Sequence, residues 1–177
     1  MIRLAALALA LLAWAPAGWA RFDGLIEGPV AVPIAPGGSA AGSLRLSGYL
    51  ARPDRPGRFP MVLLTHGAPR DGRDRATMRA EGAARQARDF ARRGWVALSV
   101  LRRGYGSSEG AFAEGAGPCQ DRTYAAAGRA AAVDLRQAAG WLAQQAWSDG
   151  RRLLLVGVSA GGFAATALAS DPPPGLA

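Results

Sequence analysis

Three short apolar runs stand out in the hydrophobic pattern of the chain. They span residues 61–64, 95–101 and 153–156. Apart from Ser99 in the second run, each is continuous, and none alternates with polar residues. Continuous runs of this length are typical of strands that are buried on both faces of a parallel sheet. The pattern therefore predicts three core strands.

Segments with helical spacing separate these runs. Small apolar residues recur every three or four positions between residues 80 and 91, and Gly94 ends that helix. A second helix is predicted over residues 130–147, and a third begins at Phe163. Alternating strands and helices imply parallel strands joined by right-handed crossovers. The predicted fold class is therefore α/β, with helices on both faces of a mostly parallel sheet.

The first 43 residues show a different pattern. An apolar run after Arg3, followed by small residues, predicts a signal peptide over residues 1–20 and a periplasmic or secreted protein, free of the membrane after cleavage. An uncleaved anchor helix is the alternative. Residues 21–43 are rich in Gly, Pro and Ala, which predicts a poorly structured segment with at most one edge strand near residues 30–34. The folded domain is predicted to span residues 44–177.

Charge and composition exclude several classes of protein. The formal net charge is +8, and all 21 basic residues are arginines that are scattered and mostly close to an acidic residue. No basic run is interleaved with aromatic residues, which argues against a nucleic-acid partner. One histidine and one cysteine cannot build a metal site, so neither a metal nor another cofactor is expected. A single thiol is unusual in an exported chain, so Cys119 is expected to be buried or to lack its partner.

The most informative motif is Gly157-Val158-Ser159-Ala160-Gly161, which joins the third apolar run to the third helix. At such a junction, small neighbours allow a sharp turn that raises the serine hydroxyl above the sheet. Ser159 is thus the candidate nucleophile. The Ala160 amide, at a helix N-terminus, would face the anion that forms when a hydroxyl attacks a carbonyl group. The alternative is a glycine-rich turn that only packs the helix against the strand.

A second motif, His66-Gly67-Ala68-Pro69, follows the first apolar run. A loop at this position supplies the other oxyanion donor, which is the amide of Ala68 or, less favourably, that of Gly67. His66 is the only histidine in the sequence. Because it precedes the nucleophile, we interpret it as a support for the loop, with a role as general base left as the alternative.

The glycine-rich segment 103–110 follows the second apolar run. A dinucleotide-binding loop is one interpretation, but the third glycine of Gly-x-Gly-x-x-Gly would fall at Glu109, and no helix follows directly. A structural turn beside the active site, with Tyr105 or Glu109 close enough to touch substrate, fits better.

Taken in order, His66-Gly67, residues 103–110 and residues 157–162 resemble the α/β-hydrolase superfamily. The resemblance covers residues 44–170 and is greatest to secreted dienelactone-hydrolase-like and prolyl-oligopeptidase-like serine esterases and peptidases. It implies the N-terminal half of an α/β-hydrolase fold, a small ester or peptide substrate and a Ser159 acyl-enzyme. The implied oxyanion hole and supporting residues are Ala68, Ala160, His66, Gly67, Gly157 and Gly161. Dienelactone hydrolases proper use cysteine as nucleophile, so their substrate is not carried over.

The rest of a catalytic triad is not found in the sequence. In this superfamily the acid and the histidine follow the nucleophile, but the eighteen residues after Ser159 include no histidine. Asp171 lies in a proline-rich turn and is expected at the surface. We therefore expect a C-terminally truncated or frameshifted hydrolase with an open apolar edge at residues 153–156. The alternative is a catalytically inactive binding module; oligomeric state is not indicated.

Overall fold

The computed structural model describes residues 23–37 and 43–176, and the predicted signal peptide lies outside these residues. No helix among them is long and apolar enough to cross a membrane. Two 3-10 turns, Gly72–Thr77 and Ala80–Ala83, precede the first α-helix. The strands and α-helices are β1 Leu25–Ile34, β2 Leu44–Pro53, β3 Phe59–Thr65, α1 Ala84–Ala91, β4 Val96–Val100, α2 Tyr124–Ala143, β5 Ser148–Gly157 and α3 Ala160–Ala169.

The five strands form one sheet in the order β1-β2-β4-β3-β5. β3 pairs in parallel with both β4 and β5, whereas β2 is antiparallel to both β1 and β4. Four strands therefore run in one direction and β2 runs in the other. The prediction of a mostly parallel sheet holds for the centre of the sheet, and the β1 end is mixed.

β1 corrects the prediction for the N-terminal segment. Residues 25–34 form a ten-residue strand, paired with β2 from Leu25 opposite Pro53 to Ile34 opposite Leu44. The predicted edge strand near residues 30–34 is thus confirmed, and the expectation of a poorly structured segment is wrong for residues 25–29, to which the strand extends. β1 is an edge strand, where prolines are tolerated because one side of the strand needs no hydrogen-bond donors. Long-range pairing thus outweighs an unfavourable local composition.

The core confirms the three predicted strands and the helices on both faces. β4 is buried along its whole length, and in β3 every residue except Pro60 is buried. α2 and α3 cover one face, and α1 covers the other with small side chains. α2 begins and ends earlier than predicted. After the helix ends, the Trp147 carbonyl accepts a hydrogen bond from the Phe59 amide at 3.0 Å, at the start of β3.

The parallel pairing of β3 and β5 creates the candidate site. Thr65 is opposite Gly157, so the carboxyl ends of both strands reach the same edge of the sheet. The loops that follow, at residues 66–69 and 158–159, are therefore neighbours. β5 is also the predicted apolar edge strand: Leu154 is 38% exposed, and the further partner among the described residues is Leu176, in a parallel bridge to Leu153.

Candidate active site

Ser159 occupies a strained turn between β5 and α3. Its φ is 53° and its ψ is −122°, and it is the one non-glycine residue with positive φ in the described ranges. A non-glycine residue in such a backbone conformation is strained by about 1–3 kcal/mol, so the conformation persists only where the surrounding structure enforces it. The serine is exposed at the end of the sheet. Its backbone thus has the sharp turn that the motif predicts.

Two glycines enforce this turn through close backbone contacts. A Cβ on Gly161 would lie 2.6 Å from the His66 carbonyl oxygen and would also overlap that of Thr65. A Cβ on Gly157 would lie 2.5 Å from the carbonyl carbon of Gly161. Only glycine fits at these two positions. The contacts of Gly161 hold this turn, called the elbow below (residues 157–161), against the end of β3. The elbow is thus closely packed although Ser159 itself is exposed.

The loop after β3 lies directly beside Ser159. A Cβ on Gly67 would come within 3.2 Å of the Ser159 Cβ and 3.8 Å of its hydroxyl oxygen. Next to Gly67, Ala68 lines a cavity that Ala160 also lines. The backbone amides of Ala68 and Ala160 have no hydrogen-bond partner within residues 23–37 and 43–176. Two unused donors thus flank Ser159, and one of them lies at the positive end of α3.

His66 is held by its own backbone surroundings. The Arg102 amide donates to Nε2 at 3.1 Å, so Nδ1 carries the proton and donates to the Gly67 carbonyl at 2.9 Å. Burial and, secondarily, the positive charge of Arg102 lower the pKa of His66 to about 4. Both ring nitrogens are engaged away from Ser159. This geometry is that of a loop support and excludes the alternative role as general base.

This loop is anchored by a buried arginine that the sequence patterns did not indicate. The Arg102 side chain is completely buried and forms an ion pair with Glu114, with the second contact at 3.1 Å. It also donates to the Thr65 hydroxyl and, at 3.0 Å, to the His66 carbonyl. Tyr105 donates to Glu114 at 3.3 Å and packs edge-on against the His66 ring. An arginine directly after a buried strand is unusual, because a buried charge requires a partner. The position of Arg102 in the sequence was therefore the signal that could have indicated an ion pair.

The glycine-rich segment 103–110 is a structural turn with one residue at the site. Tyr105 is buried and lines the same cavity as Ala68. Glu109 instead pairs with Arg45 on the surface at 2.9 Å and does not line this cavity. Arg103 anchors the turn to α2 through Asp134, whose pKa is raised by burial.

Two further candidates lie away from the site. Asp171 pairs with Arg136 at 2.7 Å, and its side chain is 86% exposed, which confirms a surface turn. Cys119 is exposed, so the expectation that it could be buried is wrong, and its sulfur accepts a hydrogen bond from Arg122 at 2.9 Å. In the part of the chain that the structure describes, no three His, Cys, Asp or Glu side chains are grouped to hold a metal ion.

Comparison with solved structures shows that this fold is that of the α/β hydrolases. A Klebsiella pneumoniae protein described as a dienelactone hydrolase has a TM-score of 0.56 at 19% identity, covering 87% of this chain and 57% of its own. An aminopeptidase from a Thaumarchaeota archaeon gives 0.57 at 16%, covering 88% and 24%. An α-amino acid ester hydrolase gives 0.55 at 19%, covering 97% and 27%. The chain thus spans little more than half the length of the first of these structures.

A family model refines this assignment. The model described as X-Pro dipeptidyl-peptidase (S15 family) matches residues 42–177. The chain therefore belongs to the S15 family. No curated protein matches the chain.

Proposed function

We propose that the chain supplies the nucleophile and oxyanion hole of a serine hydrolase that acts on small esters or peptides. The observation that carries the proposal is the strained, exposed Ser159 flanked by the unused amides of Ala68 and Ala160. A strained nucleophile between two free donors is the arrangement that acyl transfer needs.

The chemistry follows from this geometry. The Ser159 oxygen attacks the substrate carbonyl carbon, and the two amides stabilise the negative charge on the carbonyl oxygen. The bond to the leaving alcohol or amine then breaks, and the leaving group takes the proton that the hydroxyl released to a base. Water next cleaves the acyl-serine ester and regenerates Ser159.

The base in this scheme is not His66, because its nitrogens are both bound to the backbone and its pKa is about 4. Within the described residues, the Ser159 hydroxyl has no hydrogen-bond partner. None of the described residues therefore supplies a base to this hydroxyl. A serine without its base is a weak nucleophile, so the test must supply one.

Chemical rescue tests this proposal. The full 177-residue chain is incubated with a fluorophosphonate in the presence of imidazole, and the adduct is mapped by peptide mass spectrometry. We expect labelling of Ser159 to be faster than that of every other serine, and faster than in the same chain in concentrated urea, since unfolding removes the oxyanion donors.

The matched controls are Ser159→Ala, which should lose the fast adduct, and Ser170→Ala, which changes an exposed serine at the end of α3 and should keep it. Equal labelling of Ser159 in folded and unfolded chain would contradict the proposal. That result would favour the alternative function, a catalytically inactive binding module.

A further inference from the structure

Glu114 is linked to the loop that follows β3 by one buried arginine. It lies in a segment without regular secondary structure, at residues 111–118, and its carboxylate pairs with the completely buried side chain of Arg102. We propose that Glu114 is a positioning residue, which sets the direction of the Ala68 amide through Arg102 and His66. The inference rests on the proposed function, in which this amide is an oxyanion donor.

The Glu114 carboxylate fixes the orientation of the Arg102 guanidinium. One carboxylate oxygen accepts from Nε and the other accepts from Nη2 at 3.1 Å, so both oxygens bind the same edge of the planar group. Tyr105 donates to the second oxygen at 3.3 Å and holds the carboxylate in turn. Because a guanidinium is a rigid fork, a bidentate partner on this edge also determines where Nη1 points on the opposite side.

Arg102 holds both the backbone and the side chain of His66. Its Nη1 donates to the Thr65 hydroxyl and, at 3.0 Å, to the His66 carbonyl. Its backbone amide donates to Nε2 of the His66 ring at 3.1 Å. The orientation of the guanidinium is thus transmitted to the first residue of the loop.

The last step is made by the rigid peptide unit between Gly67 and Ala68. Nδ1 of His66 donates to the Gly67 carbonyl at 2.9 Å. The peptide bond is trans, so the Gly67 carbonyl and the Ala68 N–H point in opposite directions. A bond that fixes this carbonyl therefore also fixes the direction of the Ala68 N–H. A continuous series of contacts thus leads from Glu114 to this amide.

Stability alone does not account for a charged pair at this position. An apolar pair of similar volume is often as stabilising as a buried ion pair, or more so. Such a pair could not donate a hydrogen bond to the His66 carbonyl. The property that the Glu114–Arg102 pair adds is therefore the geometry of the loop.

The test is NMR spectroscopy of the full 177-residue chain with ¹⁵N-labelled alanine, before and after Ser159 reacts with a fluorophosphonate in the presence of imidazole. In the adduct the phosphonyl oxygen takes the oxyanion position, and an amide that donates to it shifts downfield. We expect the Ala68 and Ala160 amides of the parent chain both to shift. In Glu114→Gln, which breaks the bidentate contact, Ala160 should keep its shift and Ala68 should lose most of its own.

Glu109→Gln is the matched control. Glu109 also pairs with an arginine, but both side chains of that pair are exposed at the surface. The Ala68 and Ala160 amides should shift in this variant as they do in the parent chain. Equal shifts of Ala68 in the parent chain and in Glu114→Gln would overturn the proposal.

A double variant separates positioning from stability. Arg102→Met with Glu114→Leu replaces the ion pair by apolar groups, leaves no unpaired charge and should fold about as stably as the parent chain. It removes the side-chain donor to the His66 carbonyl, so the Ala68 shift should fall as in Glu114→Gln. Ser159 should react about tenfold more slowly, because one oxyanion donor is misdirected. A double variant that retains the Ala68 shift would contradict the proposal.

The two proposals fail separately. The direction of the Ala68 N–H bond is also measurable without an adduct, from ¹H–¹⁵N residual dipolar couplings of the unreacted chain. The same Ala68 coupling in the parent chain and in the double variant would overturn the positioning role, whether or not Ser159 reacts. A changed coupling, with no Ser159 adduct in the parent chain, would overturn the proposed function and leave the control of the Ala68 amide by Glu114 standing.

Discussion

The two loops that form the candidate site keep their shape by different means. The elbow at residues 157–161 is shaped by backbone contacts, which glycines permit and which hold Ser159 at positive φ. The loop at residues 66–69 is instead held by side chains, chiefly Arg102 and His66. The glycines that shape the elbow thus lie within five consecutive residues, whereas the arginine that holds its partner loop lies 36 positions from His66.

This difference determines which kind of substitution should destabilise each loop. A buried ion pair adds little net stability compared with an apolar pair, but removal of one partner leaves the other charge buried and unpaired. The loop after β3 should therefore be sensitive to the loss of a side chain. The elbow should be sensitive to the addition of a single methyl group.

The largest effect is expected from Arg102→Met. It leaves the Glu114 carboxylate nearly buried without its guanidinium, so the free energy of unfolding should fall by about 3–5 kcal/mol. Urea denaturation of the chain measures this change. Arg45→Met is the matched control, because Arg45 and Glu109 pair on the surface with side chains 69% and 40% exposed, and it should have little effect. Similar losses in the two variants would remove the distinction between the two loops.

A second large effect is expected from Gly161→Ala. The new methyl group would overlap the carbonyl oxygens of Thr65 and His66, so the elbow must move away from β3 at a cost of about 3 kcal/mol. Gly140→Ala is the control. Gly140 lies in α2 with nothing within 4 Å of the added Cβ, so alanine should stabilise the helix by about 1 kcal/mol. Urea denaturation of both variants measures their free energies of unfolding. An unchanged free energy of unfolding in Gly161→Ala would show that the elbow tolerates side chains.

The third prediction concerns pH and the neutral ring of His66. Its pKa is about 4 in the folded chain against 6.5 for the unperturbed side chain, so the unfolded chain binds the proton first as the pH falls. Stability should therefore decrease between about pH 6.5 and pH 4, by at most about 3 kcal/mol from this residue, and level off below. The measurement compares unfolding of the parent chain and of His66→Gln from pH 8 to pH 3.5. A parallel pH dependence in both proteins would show that His66 does not titrate in this way.

Several features were predictable because they depend on neighbours in sequence. The continuous apolar runs gave β3, β4 and the apolar half of β5, and the glycine spacing around Ser159 located the elbow. β1 was not predictable to the same extent, because its proline-containing sequence is stabilised by pairing with β2. Arg102 and Glu114 were missed for a related reason. Their partners are distant along the chain, and no local pattern links them.

By itself, the sequence determined the α/β class, the strand that leads into the Ser159 motif and the tight turn that exposes Ser159, since each follows from periodicity or from the small size of adjacent residues. Only the tertiary structure decided that His66 is neutral and bound to the backbone, that Arg102 supports its loop, and that aromatic residues from three separate segments enclose one cavity. These properties depend on burial and on contacts between distant residues. They arise when the sheet brings the ends of β3, β4 and β5 together.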